Sequence, residues 1–528
     1  MAFRPQAQWP ARLAWAGLVL VLAVPIGWGI HASFPWDVDN IAPGSVLKAM
    51  AARFAPGWYS SYGPAPYLLT AAVYAPILVV MRLAGELGRP VAAYPWGFAH
   101  PDTAVAILAV AARLVNLALA LGVALLATRD AAAAGGARTR PWLVPLLLAG
   151  SAVFVYYART SNVDMAALFW AWLAFALVET HRPTLGRYAG AAAAAALAVC
   201  SKEQIAPFAV VAGLAACARA WRLPARASLG GGVAAAGRVR GWSAAALVAA
   251  AGLLAYALVW GLPFNTSGWL AHHRFLFETA RYPRSFAATL EGTGALGLRA
   301  LGLAPLAFGL PALLGLLAVP ALRPSLRGLG LRALAGAFYL AGFIASVGYV
   351  YPRFLLPLLL LVLPCAARGL EAAFQRVGAP VRTTLAGLVV LLGLAGGPLL
   401  DTVMLTDPRL AVERWLAAAP PPHARVEVAG NPHFQARVPR TLTLLVTSPD
   451  SLRAQPRGPR GDVVLLSSID AYHFRHEPLR SAWADSLGPG GPYHRKRVFT
   501  PSPLARLVTG LPVAPEVEVY VRERAPSR

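Results

Sequence analysis

Long apolar runs alternate with short basic segments along most of the chain. A helix that crosses a bilayer needs about 20 predominantly apolar residues. Runs that read as such helices cover 13–33, 103–127, 142–159, 165–180, 187–200, 206–221, 243–262, 296–320, 333–350, 354–369 and 383–401. The pattern predicts a polytopic α-helical membrane protein of eleven transmembrane helices. A twelfth run, Ala65 to Met81, carries Pro66 and Pro76 and is also long enough to span. Beyond Asp401 the pattern becomes polar. Pro408 to Ala419 reads as a helix with Pro in its first turn. Arg425–Val428, Leu442–Val446, Asp462–Leu466 and Val517–Val521 read as strands. The expected organisation is a membrane domain over 1–401, with a long outer loop at 34–102, and a small C-terminal α/β extracytoplasmic domain over 402–528.

Composition sharpens this picture. Of 528 residues, 57% are hydrophobic and 13% charged, and the mean hydropathy is +0.56. A soluble globular chain carries about 25% charged residues. The formal net charge of +24 invites a nucleic-acid reading. The basic residues, however, sit in short clusters between apolar runs, as orientation in a membrane requires, so no nucleic-acid partner is expected. Nearly all are Arg; Lys occurs only at positions 48, 202 and 496. With a cytoplasmic N-terminus and 65–81 not crossing, the cytoplasmic connections hold fourteen Arg and the opposite ones beyond the loop 34–102 hold six Arg/Lys. If 65–81 crosses, that bias inverts, so the segment reads as re-entrant or membrane-lying. Cys200, Cys217 and Cys365 lie in or beside apolar runs and form no disulfide or metal-type pattern. The first run reads as a retained anchor rather than a cleaved signal.

Candidate chemistry gathers at the expected outer face. Asp37 and Asp39 follow the first span directly. After them, 45–54 reads as an interfacial amphipathic helix capped by Ser45. A solvated loop boundary is the bland reading of an isolated acid. Asp164, at the start of a later span on the same face, favours a substrate site. Lys202 and Glu203 interrupt the apolar stretch from Ala189 to Ala216, either as a tight turn or as an anion site in a chain nearly devoid of Lys. Arg353, with Tyr351 beside it, is either an interfacial anchor or a phosphate contact. His272-His273 has no carboxylate at metal-ligand spacing within its loop, and solvated or headgroup-facing histidines are the expected reading. No Gly-rich phosphate loop follows a strand.

The order of these features resembles the lipid-carrier-dependent glycosyltransferases of the membrane C-type (GT-C) fold, above all glycosyltransferase family 39. That group includes protein O-mannosyltransferases and aminoarabinose lipid A transferases. Asp39-Asn40 resembles the family's Asp-Glu pair, and Tyr62-Gly63-Pro64-Ala65-Pro66-Tyr67-Leu68-Leu69 its Tyr/Pro segment. Arg113-Leu114, Arg159 to Asp164 and Tyr351-Pro352-Arg353-Phe354-Leu355-Leu356-Pro357 resemble later family elements. Asp407-Pro408-Arg409 with Trp415, and Val517–Tyr520, are similar to the outer domain of bacterial members. Asn40 stands where the family usually has Glu, so Asp37 would have to supply a second carboxylate.

The resemblance implies a sugar donor on a polyprenyl phosphate and an inverting transfer to an acceptor hydroxyl of a glycan, lipid or protein. The site would lie at the outer face of the inner (cytoplasmic) membrane. Asp39 would be the base and Asp164 would position hydroxyls. Lys202, Arg353 and Tyr351 would hold the donor phosphate, with Glu203, Tyr62 and His272 as further substrate-site candidates. Some C-type enzymes use a divalent metal and others do not, so a metal is possible and no cofactor is certain. Two other classes compete. A transporter or lipid flippase predicts internal symmetry and ionisable groups at the bilayer midplane, and the sequence has neither. A catalytically degenerate GT-C binding protein would follow if Asn40 abolishes the chemistry.

Overall fold

The computed structural model describes residues 9–30, 35–37, 40–135, 140–180, 182–223, 233–279, 286–318, 329–347, 349–448, 458–471, 483 and 485–523. The chain divides into two compact units. Unit 1 comprises Met1–Ile26 and Asn40–Pro398, and unit 2 comprises Gly27–Asp39 and Leu399–Arg528.

Unit 1 is helical. Its elements are α1 (Trp9–Ala23), α2 (Gly44–Ala51), α3 (Ala65–Leu83), α4 (Pro101–Gly135), α5 (Leu143–Ala149), α6 (Ala152–Ala158), α7 (Asp164–Val178), α8 (Leu185–Ser201), α9 (Ala206–Trp221), α10 (Val233–Trp260), α11 (Leu262–Thr279), α12 (Phe286–Phe308) and α13 (Leu310–Leu317). Then α14 (Gly330–Tyr339) passes through a π-helical turn, Leu340–Ile344, into α15 (Ala345–Val347). A 3₁₀ turn, Pro352–Leu358, leads to α16 (Leu359–Arg376) and α17 (Ala379–Leu394). Among the described residues, seven helices are long and apolar enough to cross a membrane, or eight if the bent pair α12–α13 is one span. Helices α1, α7 and α8 are shorter apolar ones. This is a multi-pass membrane protein, and each of the eleven apolar runs contains helix, although the first leaves it after Ala23.

Two of those runs are broken rather than straight. The run 142–159 splits at Gly150-Ser151, where Ser151 leaves helical geometry (φ −90°, ψ 103°) to cap α6 by accepting from Phe154 N at 3.1 Å. Its hydroxyl also donates to Ala307 O at 2.6 Å. The run 296–320 bends by 112° at Gly309, which takes φ 80° between Pro305 and Pro311. A Cβ on Gly309 would lie 2.5 Å from Gly150 O, so the two breaks meet backbone to backbone.

Polar side chains mark the two ends of the bundle. At one end Arg332 is buried between Asp130 Oδ2 (2.6 Å) and Glu179 Oε2 (2.7 Å), and Trp172 Nε1 donates to the same Asp130 oxygen at 2.6 Å. At the other end Arg113 and Arg159 donate to the carbonyls that close α1, Ile26 at 2.6 Å and Val21 at 3.1 Å. Helix α7 joins these ends, with Asp164 at its start and Glu179 just past its last residue.

The segment 65–81 does not double back. It forms one continuous 19-residue helix through Pro76. Its first residue, Ala65, packs with Cys200 and Trp260 at the Asp164 end, and Tyr74 Oη donates to Leu108 O at 2.7 Å beside the first turns of α4. Ser45 does not cap α2: the helix starts at Gly44 after Pro43, without a side-chain cap, and Ser45 lies within it. The apolar face of α2 (Val46, Leu47, Ala49) is buried against Tyr67, Tyr74 and Leu108.

Unit 2 is built on a five-stranded sheet in the order β2-β1-β3-β5-β4, with β1 (Arg425–Ala429), β2 (Thr443–Thr447), β3 (Val463–Ser467), β4 (Tyr493–Phe499) and β5 (Val517–Arg522). Strands β2, β1 and β3 are parallel, while β5 runs antiparallel to β3 and to β4. Helix α18 (Gly397–Leu405) spans the point where the units are divided, and α19 (Pro408–Ala418) covers one face of the sheet through Val412 and Leu416. The predicted helix and four strands are present, and β4 is additional.

The segment 27–39 belongs to this unit for a visible reason. The Trp36 ring is fully buried, its Nε1 donates to Gln435 O at 2.9 Å, and the Arg409 guanidinium lies 4.1 Å from its centroid. Arg409 forks onto Asp407 at 3.0 and 2.7 Å, and Asp407 also accepts from Trp28 Nε1 (3.2 Å) and Ala514 N (3.1 Å). A buried ion pair is tolerated when its remaining lone pairs are satisfied in this way.

Candidate functional site

The Asp164 end of unit 1 collects most of the residues that sequence reasoning singled out. The turn before α7 is held rigidly. Asn116 Nδ2 donates to Thr160 O (2.5 Å) and Asn162 O (2.7 Å), Ile41 N donates to Ser161 O (2.9 Å), and Asn162 Oδ1 accepts from Asp164 N at 3.1 Å. Helix α8 ends at Ser201, and Lys202 leaves it in extended conformation (φ −159°, ψ 117°). The Lys202 Nζ lies 2.6 Å from Asp164 Oδ1, with both residues 5% exposed.

Lys202, at the turn expected between two helices, is not an unpaired cation. It is a buried partner of Asp164. The second carboxylate oxygen, Asp164 Oδ2, is shielded from solvent and has no hydrogen-bond partner among the described residues. A buried acceptor left in that state costs about 1–3 kcal/mol, more for a charged group. Such groups call for a functional account.

Asp164 and Lys202 line a small pocket with Gln204, Tyr339, Arg353 and Pro357. The Tyr339 hydroxyl donates to Phe354 O at 2.7 Å, which ties α14 to the 3₁₀ turn carrying Arg353. The π-helical turn begins directly after Tyr339, a local distortion that often marks functional positions. Arg353 is half-buried, its guanidinium 5.8 Å from the Phe354 ring. Tyr351 is 49% exposed and packs edge-on against Phe354 at 5.5 Å; it does not line this pocket.

A second polar group adjoins the first in sequence. Glu203 Oε1 lies 2.9 Å from His272 Nε2, and His272 Nδ1 lies 2.7 Å from Ser60 O. His272 is fully buried, not solvated as expected, and its ring lies 4.6 Å from that of Trp260 at an interplanar angle of 50°. A carbonyl only accepts, so Nδ1 carries a hydrogen. Nε2 faces the Glu203 carboxyl group, so the imidazole bridges the Ser60 carbonyl and Glu203.

Seven residues before His272, Asn265 breaks helical geometry within α11 (φ −131°, ψ 41°). Its Oδ1 accepts from Gly57 N (2.7 Å) and Gly268 N (3.1 Å), and its Nδ2 donates to Trp58 O (2.8 Å). Asn265 and His272 thus fasten the loop 57–64, which carries Tyr62, to α11. The loop also presses on α8, where a Cβ on Gly63 would lie 2.0 Å from Cys200 O.

The structure brings Asp164, Lys202 and Arg353 to one pocket and pairs Glu203 with His272 beside the fastened loop that carries Tyr62. Asp37 lies in unit 2, where it is 1% exposed, and Asp39 lies outside the described residues. Sequence reasoning missed Tyr339, Gln204 and Asn265. Asn265 had a signal, as a polar residue following Gly261-Leu262-Pro263; Tyr339 sits within an apolar run and had none. Among the described residues no three His, Cys, Asp or Glu side chains form a metal-binding group.

No protein-family model and no curated protein matches the chain. Among solved structures, the chain is similar to ArnT from Cupriavidus metallidurans in the apo state, with 14% identity, 97% of this chain and 98% of that chain covered, and a TM-score of 0.45. It is similar also to the same protein bound to undecaprenyl phosphate, with 13% identity, the same coverage and a TM-score of 0.44.

Proposed function

We propose that this chain is an integral-membrane glycosyltransferase that moves a sugar from a polyprenyl-phosphate carrier to an acceptor hydroxyl at the outer face of the cytoplasmic membrane. The observation that carries the reading is the Asp164 Oδ2 oxygen, buried and unpartnered among the described residues, beside Lys202 and Arg353 in one pocket. An acceptor atom held dry next to two cations suits a ligand with both hydroxyl and phosphate groups. Asp164 Oδ2 accepts a hydroxyl hydrogen from the sugar or the acceptor. Lys202 and Arg353 supply positive charge where the phosphate leaves. The motif resemblance of Tyr62–Leu69, Arg159–Asp164 and Tyr351–Pro357 supports the same reading.

In the transfer, the acceptor oxygen forms a bond to the anomeric carbon as the bond from that carbon to the phosphate oxygen breaks, with inversion. The leaving polyprenyl phosphate keeps the bonding electron pair. The acceptor's proton passes to a carboxylate, and Asp39 is the base by resemblance. Asp37, buried in unit 2, is the poorer choice.

The test is transfer from a radiolabelled polyprenyl-phosphate sugar by the purified protein in nanodiscs, with cell-envelope extract as acceptor. Asp164→Asn and Asp39→Asn are each expected to lower turnover by about a hundredfold or more. Arg353→Ala is expected to weaken donor binding. Full transfer by Asp164→Asn, or donor binding unaffected by Arg353→Ala, overturns these roles. Absence of any transfer or donor binding by the wild-type protein overturns the function.

A further inference from the structure

Unit 2 carries a cavity that the transferase reading does not use. It has a volume of about 970 Å³ and lies where the sheet meets the end of α19. That volume is at the upper end of the range for ligand pockets, about 300–1,000 Å³. One wall is apolar and stiff: the Trp415 indole followed by Pro420 to Pro422. The polar lining comes from β4 and the last residues of β5, through Lys496 and Arg522.

Three features show how the chain builds this wall. Strand β4 slips register between Arg495 and Arg497, so Lys496 has no partner on β5. A bulge of this kind re-aims a side chain, and here Lys496 lines the cavity. His423 holds left-handed backbone (φ 63°) in the turn before β1, a conformation that His adopts more readily than most residues, and it borders the cavity there. The Lys496 ammonium, the His423 imidazole and the Trp415 indole N–H have no side-chain hydrogen-bond partner among the described residues, and each borders the cavity.

The lining selects among ligand classes. Lys496 and Arg522 are balanced by Asp462 and Glu523, so with neutral His423 the formal charges cancel. A polyanion site would be net positive. A purely apolar ligand would leave these donors and acceptors unpaired, at about 1–3 kcal/mol each. A flat indole beside prolines suits the C–H face of a pyranose ring, and the mixed donors and acceptors suit its hydroxyls. The cavity holds several sugar residues rather than one.

We propose that this cavity in unit 2 is a binding groove for a neutral oligosaccharide, with Trp415 as the stacking platform and Lys496 and His423 as hydrogen-bonding groups. The proposal does not depend on the transferase reading, since binding in the groove is measured without transfer.

The experiment uses the full-length protein in nanodiscs. Chitotriose, mannotriose, maltotriose and cellotriose are titrated by saturation-transfer NMR, with inorganic polyphosphate as the anionic comparison. At least one trisaccharide is expected to bind with a Kd of about 1 mM or tighter. Trp415→Leu and Lys496→Met are each expected to weaken it about tenfold, while Arg506→Ala, an exposed residue away from the cavity lining, leaves it unchanged. Trp415 also packs on the sheet core, so Lys496→Met, at an exposed strand position, serves as the variant that keeps the fold. No binding by any trisaccharide at 10 mM overturns the proposal, as does binding that survives Lys496→Met or polyphosphate binding tighter than every trisaccharide.

Discussion

Replacing His272 by Phe tests whether the loop 57–64 is held in place by side-chain hydrogen bonds. Phe keeps a ring against Trp260, which now sits 4.6 Å from the imidazole, and removes both nitrogens. The loop loses the 2.7 Å bond to Ser60 O, and Glu203 loses its 2.9 Å partner. A hydrogen bond of this kind contributes about 0.5–1.5 kcal/mol, or about 1.5–3 kcal/mol if the imidazole is charged. A middle value of about 2 kcal/mol, at about 1.4 kcal/mol per tenfold, raises the population of the open loop roughly 30-fold. Amide hydrogen exchange read by mass spectrometry on peptides covering 55–64 should accelerate by that factor. Peptides from α9 should exchange as in the wild type. Glu203→Gln retains an acceptor for Nε2 and should accelerate exchange by only about fivefold, near 1 kcal/mol. Asn265→Ala removes both bonds to Gly57 and Trp58 and should exceed His272→Phe. If His272→Phe changes exchange in 55–64 by less than about threefold while α9 stays protected, the loop is held by packing alone and the reasoning fails.

Lys202→Met leaves Asp164 as an uncompensated buried charge and should cost about 3–5 kcal/mol, whereas Lys202→Met with Asp164→Asn should recover most of it. Thermal scanning of the purified variants reads this, and a double variant no more stable than the single one would falsify the pairing as a source of stability. In unit 2, burial raises the Asp462 pKa but the Arg425 amide and guanidinium outweigh it and hold the carboxyl below its ordinary value. A depressed folded pKa gives stability that is fully present above the unfolded value, about 3.9, and lost as pH falls through the folded one. The two side chains are 48% and 47% exposed, so the contribution is below about 1 kcal/mol, and Arg425→Ala should lower stability at pH 7 but not at pH 2. With Cys200, Cys217 and Cys365 replaced, a cysteine at exposed Ala417 should react with a membrane-impermeant maleimide from outside, and one at exposed Arg222 should not. The reverse pattern would refute the orientation.

The apolar runs were legible because helical membrane segments need little beyond continuous hydropathy. Their interruptions were not. Gly150 and Gly309 break two runs at a point where they touch each other, and no local pattern relates positions so far apart. The same limit hid the central pair of the site: Asp164 and Lys202 were each singled out, but that one neutralises the other follows only from the path of α7 and α8. Tyr339 reads as one more apolar residue until Phe354 O is found at its hydroxyl. In unit 2 the strand β4, Tyr-His-Arg-Lys-Arg-Val-Phe, escaped because the slip at Lys496 shifts its alternation midway. Tyr493 faces one core and Phe499 the other, so no period of two runs through the strand. At Pro35-Trp36-Asp37 the acid is the conspicuous residue in sequence, while the residue that anchors the segment through Arg409 is the Trp.

The path of α3 and α4 bears on the count that orients the whole chain. Beyond residue 102, the count of fourteen Arg/Lys against six assigns those fourteen to the cytoplasm only if the segment after Pro64 does not carry the chain across. Helix α3 starts where α8 ends, beside Cys200, and its middle lies against Leu108. Residues 101–112 of α4 precede Arg113, which closes the end of α1, and Asp130, which binds Arg332, lies near the other terminus of α4. The chain therefore leaves the Asp164 end along α3 and returns past it along α4 before reaching the Arg332 end. A helix doing both needs more than a bilayer's length. At 1.5 Å per residue the 35 residues of α4 span about 52 Å, against a hydrocarbon core of about 30 Å. Were α3 instead a crossing alongside α7 and α8, α4 would begin at the Arg332 end, and Arg113 could not meet Ile26 while Asp130 meets Arg332. The excess length of α4 leaves α1, α4 and α7 to α9 alternating between the Asp164 end and the Arg332 end.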